Sequence, residues 1–239
     1  MRFLVMLYAD ETTQNSPGDP GWDAEMAGYL AFDEIAGHAV VAGEALLDST
    51  TSRSIRHDGG VVRVTDGPFA ETAEVLGGFY VLEAPTLDDV LEMVRHLPAV
   101  ATGTAEVRPL AELVDNSSTA APEGTTRYLA TIHGVETDDE TPGTPGWDSG
   151  GEAHGRFGRD AGDAIALAVA LHPTSTASTV RLRDGELLIT DGPYAEITEV
   201  VGGFYVLRST PDAIVELAGA IPVPDGGGVE VRPVMEIDG

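Results

Sequence analysis

Thr65-Asp66-Gly67-Pro68-Phe69-Ala70-Glu71 and Thr190-Asp191-Gly192-Pro193-Tyr194-Ala195-Glu196 are one heptapeptide written twice, with Tyr for Phe as the sole change. The copies stand 125 positions apart, and that offset aligns most of the chain without gaps. Pro20-Gly21-Trp22-Asp23 meets Pro145-Gly146-Trp147-Asp148, and Gly77-Gly78-Phe79-Tyr80-Val81-Leu82 meets Gly202-Gly203-Phe204-Tyr205-Val206-Leu207. Near the end the offset slips by one, and Glu106-Val107-Arg108-Pro109 meets Glu230-Val231-Arg232-Pro233. The sequence is therefore a tandem duplication. Its first repeat covers residues 1–114, a small polar linker with Pro122 near its end covers 115–125, and the second repeat covers 126–239.

Within each repeat the pattern predicts strand, helix, two strands, helix, strand. Arg2–Tyr8 is a short apolar run of β-forming residues. Asp23 is placed to cap a helix that Gly37 stops, with Met26, Tyr29, Leu30, Phe32 and Ile35 as its buried stripe. Residues 40–47 and 54–65 read as the central strands, the latter turning at Asp58-Gly59-Gly60. Residues 78–84 form the next strand. Thr86 caps a second helix, Pro98 ends it, and residues 104–110 close the unit. This order is the split βαβ arrangement, so the fold class is α+β with two ferredoxin-like βαββαβ repeats, each with both helices on one face of an antiparallel sheet. The other face needs a cover. The expectation is an intrachain pseudo-dimer of two packed sheets with a cleft between or beside them, rather than independent domains on a flexible linker.

Composition narrows the chemistry. Forty acidic residues against thirteen basic ones give a formal charge of -27, which repels phosphate backbones and argues against nucleic-acid binding. A basic protein partner remains compatible with it. No apolar run approaches the length that spans a bilayer. The apolar start is cut short by Tyr8-Ala9-Asp10-Glu11 and recurs mid-chain at Arg127–Ile132, so it reads as a strand of a cytoplasmic protein rather than a signal peptide. There is no cysteine, and all thirteen basic residues are arginine, which excludes thiolate, Schiff-base and P-loop lysine chemistry. His38, His57 and His96 show no zinc-ligand spacing, and no phosphate-cradling glycine loop is present, so neither a metal nor a cofactor is expected.

The block from Thr65 to Thr72 followed by Gly77-Gly78-Phe79-Tyr80, with Val41-Ala42-Gly43-Glu44 before it and Glu106-Val107-Arg108-Pro109 after it, resembles the DGPF family within the YCII-related superfamily. The resemblance covers nearly all of both repeats and implies a dimeric α+β barrel of ferredoxin-like units. It also implies, through relatives encoded beside extracytoplasmic-function sigma factors, a regulatory alternative. The family's usual lysine in the Ala-Glu-Thr-Lys-Glu stretch is Ala73 here and Thr198 in the second repeat, where Ala168-Val169 also replaces Gly43-Glu44. The second repeat's first helix carries several glycines, each worth about 0.5–1 kcal/mol of lost helix propensity. The first repeat is thus the better place for a working site.

Asp66-Gly67-Pro68 is in the first instance a turn, since Asp bonds the backbone ahead, Gly accepts positive φ and Pro stiffens the exit. A buried Asp66 or Glu71 could add acid–base chemistry. Glu44 sits among apolar neighbours, where a carboxylate is paired, metal-bound or functional, and is the strongest single candidate. The catalytic candidates are Glu44, Asp66, Glu71 and His38; Tyr8, Trp22, Arg56 and Arg108 are the ligand-binding ones. The recurring arginines, Arg56 with Arg181 and Arg108 with Arg232, would either staple a loop or orient an anion, and a chain poor in cations favours the staple. The expected function is a cofactor-independent small-molecule enzyme or ligand-binding protein. The alternatives are a protein-interaction module and a duplication kept for stability alone.

Overall fold

In the computed structural model, which describes residues 1–69, 73–195, 198–224 and 226–236, the first repeat begins with β1 (Arg2–Ala9), α1 (Trp22–Ala36) and β2 (Val40–Ala45). A hairpin of β3 (Arg53–Asp58) and β4 (Val61–Asp66) follows, turning at Gly59-Gly60. Next come β5 (Val75–Glu83), α2 (Leu87–Val94), the single turn α3 (Ala99–Thr102) and β6 (Thr104–Asp115). The second repeat supplies β7 (Thr126–Val135), α4 (Pro145–Ala161), β8 (Ile165–Leu171) and the hairpin β9 (Ser178–Arg183) and β10 (Glu186–Asp191). It ends with β11 (Glu199–Ser209), α5 (Ile214–Gly219) and β12 (Gly228–Pro233).

The chain divides into two compact units that do not coincide with the sequence repeats. Unit 1 holds Met1–Ala45, Thr72–Leu110 and Thr174–Glu196, and unit 2 holds Leu46–Glu71, Ala111–Pro173 and Ile197–Gly239. Each repeat has given its hairpin to the sheet of the other. In unit 1 the antiparallel order is β2–β5–β1–β6–β9–β10. In unit 2 it is β8–β11–β7–β12–β3–β4. The first four strands of either list have the ferredoxin-like order, and the borrowed hairpin extends the sheet beyond the last of them. Strands β2 and β4, expected at sheet centres, are therefore edges; β1, β5, β7 and β11 take the interior positions.

Alternation builds the unit 1 core. Phe3, Val5 and Leu7 of β1 join Phe32, Leu82, Val90, Val94, Leu97, Val107 and, from the borrowed hairpin, Val180. Unit 2 repeats the scheme with Tyr128, Phe157, Tyr205, Leu207, Ile214, Val229 and the borrowed Ile55. Complete burial of Ile55 contributes about 1.5–3 kcal/mol towards holding the hairpin on its sheet.

Helix boundaries follow their caps. Thr86 and Asp89 form a capping box on α2. Helix α1 starts at Gly21 without a side-chain cap, and Asp23 lies in its first turn rather than at its cap. Its buried side is Phe32 and Ala36. Leu30 and Ile35 are exposed because they fall off the arc those two define. The glycine-rich α4 forms in full, with Thr144 capping the Trp147 N–H and Pro145 pre-setting its first turn. Among the described residues no helix is long and apolar enough to cross a membrane.

Candidate functional site

The borrowed hairpin ends at the Asp-Gly-Pro loop, and that loop is fastened within its host unit. In unit 2 the Gly67 N–H donates to the Ser52 carbonyl at 2.9 Å, and Ser54 Oγ donates to the Gly67 carbonyl at 2.9 Å. Unit 1 copies both bonds, from Gly192 to Ala177 and from Thr179 to Gly192. Gly67 and Gly192 have φ near +100° (+99° and +103°), a conformation that side chains strain to adopt.

The next residue but one, Phe69 or Tyr194, reaches a buried carboxylate. The Phe69 N–H donates to Glu230 Oε2 at 2.8 Å, and the Tyr194 N–H donates to Glu106 Oε2 at 2.9 Å. Period-two alternation puts each glutamate on the same strand face as the arginine two residues on. Arg232 Nε bonds Glu230 Oε1 at 3.2 Å, and Arg108 Nε bonds Glu106 Oε1 at 3.1 Å. Glu106 and Arg108 side chains are only 4% and 3% exposed, so the pair is a staple inside the sheet. Every carboxylate oxygen has a donor, which is the condition for burying such a charge. The Glu-Val-Arg-Pro motif of one repeat thus holds the Asp-Gly-Pro-aromatic motif of the other.

Around this anchor unit 2 builds a layered stack. The Arg56 guanidinium carbon lies 3.9 Å from the Phe69 ring centroid, and the ring stacks on His133 at 4.4 Å. Arg56 is itself held by both oxygens of Glu199, at 2.8 and 3.1 Å. Those bonds hold the Glu199 carboxyl below its usual range. His133 keeps part of its surface open, yet the atoms packed around its ring push its pKa down to about 4, against the pull of Glu230 and Glu199. Its Nε2 lies 2.9 Å from Thr131 Oγ1, which reaches the Glu230 carbonyl at 3.4 Å. With the hydroxyl donating to that carbonyl, Nε2–H donates to the threonine and Nδ1 keeps the lone pair.

Unit 1 has the same places filled differently. Tyr194 stacks on Tyr8 at 4.4 Å, Arg181 stands 5.8 Å from the Tyr194 ring, and Glu74 Oε2 lies 3.8 Å from Arg181. Burial first, with the Glu74 charge adding to it, raises the Tyr194 hydroxyl and keeps it protonated.

Of the residues expected from sequence, these corners gather Tyr8 and Arg108 in unit 1 and Arg56 in unit 2. Glu44 is half-buried on edge strand β2, opposite Phe79 in register. His38 is exposed just after α1, and Trp22 is the half-buried first residue of that helix. Asp66 has a side chain 92% exposed and 3.7 Å from Arg53, so the burial that would have made it an acid–base group is not met. Glu71 lies outside the described residues. The sequence candidates did not include His133, Glu199, Glu74, Glu230 or Glu106, although the last two stood in a repeated motif. Glu74 and Glu199 are identical at the 125 offset, and His133 coincides with the candidate Tyr8, so the repeat itself carried the signal for each of them. Among the described residues no group of three or more His, Asp or Glu is placed to hold a metal ion.

Comparison with known proteins places the chain among relatives. The profile of the YCII-related domain matches residues 1–114 and again 145–238. An uncharacterized protein of Rhizobium meliloti (strain 1021) is 35% identical over 120 residues, covering 46% of this chain and 93% of that protein, which is about one repeat long. A solved structure described as a novel heme-binding protein from Thermus thermophilus aligns over 98% of this chain and 91% of that one, at 12% identity and a TM-score of 0.43. A likeness that slight bears on neither fold nor ligand.

Proposed function

The chain belongs to the YCII-related domain family, and from that premise we propose that it is a cofactor-independent small-molecule enzyme or binding protein whose working group is His133. The observation that carries this reading is a part-exposed histidine kept neutral across the physiological range, with its ring clamped by Phe69 and two carboxylates and two guanidinia in its electrostatic surroundings. A neutral imidazole with its Nδ1 lone pair accepts a hydrogen bond, and transiently a proton, from a bound substrate, and the neighbouring Glu199 and Glu230 offset part of the burial that disfavours the imidazolium. Proton transfer of this kind needs no redox group. This reading keeps Arg56 and the Asp-Gly-Pro-Phe loop from the sequence candidates and takes His133 in place of His38 as the base.

A panel of small polar metabolites screened by thermal shift tests it. A stabilising ligand is expected whose effect His133→Gln removes and His38→Gln leaves intact. A shift that persists in His133→Gln, or a panel without any hit, overturns the assignment.

A further inference from the structure

In a chain carrying -27 charges, an arginine should readily find carboxylate acceptors for its donors. Arg56 does, in two bonds to Glu199. Its counterpart Arg181 does not: Nε is buried without a hydrogen-bond partner, and among the described residues its carboxylate partner, Glu74, is a loose 3.8 Å from the guanidinium. Thr104, fully buried, donates its hydroxyl to Glu74 Oε2 at 3.2 Å and holds that carboxylate off the arginine. At the matching position unit 2 has Gly228, which has no hydroxyl to compete for Glu199.

The backbone agrees. The β12–β3 ladder includes Gly228 opposite Arg56, whereas the β6–β9 ladder begins one residue later, at Ala105 opposite Val180. The strand carrying Arg181 leaves its neighbour where Thr104 stands. Arg181 remains 30% exposed, and the Tyr194 hydroxyl beside it donates to the Glu74 carbonyl at a long 3.4 Å.

We propose that Arg181, with the Tyr194 hydroxyl beside it, is a receptor for a small oxyanion, a carboxylate or a phosphate, in unit 1. A planar guanidinium that keeps its charge and part of its surface open suits either group, with the buried Nε as the reporter of any shift in the set of donors. In the same unit Glu106 already takes the Nε and Nη2 donors of Arg108. The site stands apart from the His133 reading, since it lies in the other unit and shares no residue with it.

Arginine Nε–H resonances of the full chain, followed by NMR during titration with inorganic phosphate and separately with acetate, report on it directly. The Arg181 signal, assigned by its loss in Arg181→Lys, is expected to move with one or both anions while Arg56 stays fixed. Whichever anion binds more tightly sets the ligand class. Thr104→Val keeps the branched shape and removes the hydroxyl, so Glu74 closes on Arg181 and anion affinity falls at least tenfold. Arg181→Lys keeps the charge and loses the fork, with a similar loss read from the Tyr194 ring signals. No movement with either anion overturns the proposal, as does an affinity that Thr104→Val leaves unchanged. Neither outcome touches the His133 assignment.

Discussion

The corner of unit 2 around Phe69 and the corner of unit 1 around Tyr194 share a plan, a buried Glu–Arg staple beneath an Asp-Gly-Pro-aromatic loop, and they part where one has Gly228 and the other Thr104. A Cβ at Gly228 would meet Phe69 Cε2 at 2.6 Å and the Ile55 carbonyl at 2.4 Å. Glycine there lets Phe69 slide between Arg56 and His133, and lets Arg56 and Glu199 close on each other. With Thr104 in that place, Tyr194 keeps the equivalent stack on Tyr8, but Arg181 stands 5.8 Å from the ring and its ion pair stays loose. The duplicated arginine is held tightly in one corner and loosely in the other.

The shared part of the comparison is the costliest to disturb. Glu230→Ala leaves Arg232 buried without its carboxylate and the Phe69 N–H without an acceptor, for an expected loss of about 3–5 kcal/mol by chemical denaturation. Glu106→Ala in unit 1 should match it, and a loss under about 1 kcal/mol in either would break the equivalence of the two staples. Next come the borrowed hairpins: Ile55→Ala is expected to cost about 2–5 kcal/mol. Val180→Ala should cost less by about 0.8 kcal/mol for its smaller side chain.

The differing part is sharpened by pH. His133 has a folded pKa near 4 against about 6.5 unfolded, so below pH 6.5 the unfolded chain takes up a proton that the folded chain refuses. Stability falls from pH 6.5 towards 4 by up to about 3 kcal/mol and the loss then levels off. Glu199, its folded pKa depressed, adds a further loss as pH drops below the ordinary carboxylate range. His133→Gln should flatten the upper part of this curve; Tyr8→Phe, at the matching place in unit 1, should not. The smallest effect is expected from exchanging the aromatics, Tyr194→Phe removing one long bond for under about 1 kcal/mol, read as a small change in midpoint.

Much of the architecture was legible because its signals are local. The hairpin at Asp58-Gly59-Gly60, the Thr86 cap and the alternation of β1 each depend on a few neighbouring residues. The exchange of hairpins was not legible for the complementary reason. A strand with one apolar residue such as Ile55 fits the edge of either sheet, and no short-range feature says which. The staples illustrate the same limit: Glu106-Val107-Arg108-Pro109 stood out as a repeated motif, but the N–H its carboxylate receives belongs to Tyr194, in the other repeat. His133 was hidden by the very comparison that exposed the duplication, because its counterpart is a tyrosine and identity was the criterion.

The hairpin exchange also changes how folding depends on amount of protein. A chain of one repeat, built on this plan, would have to fetch its outer hairpin from a second molecule, and its folding would weaken on dilution. Joined through residues 115–125, the two repeats meet at an effective concentration set by the tether rather than by the solution. The duplication thus turns a second-order association into a first-order fold, and it frees the two corners to diverge, since each is now encoded by its own residues.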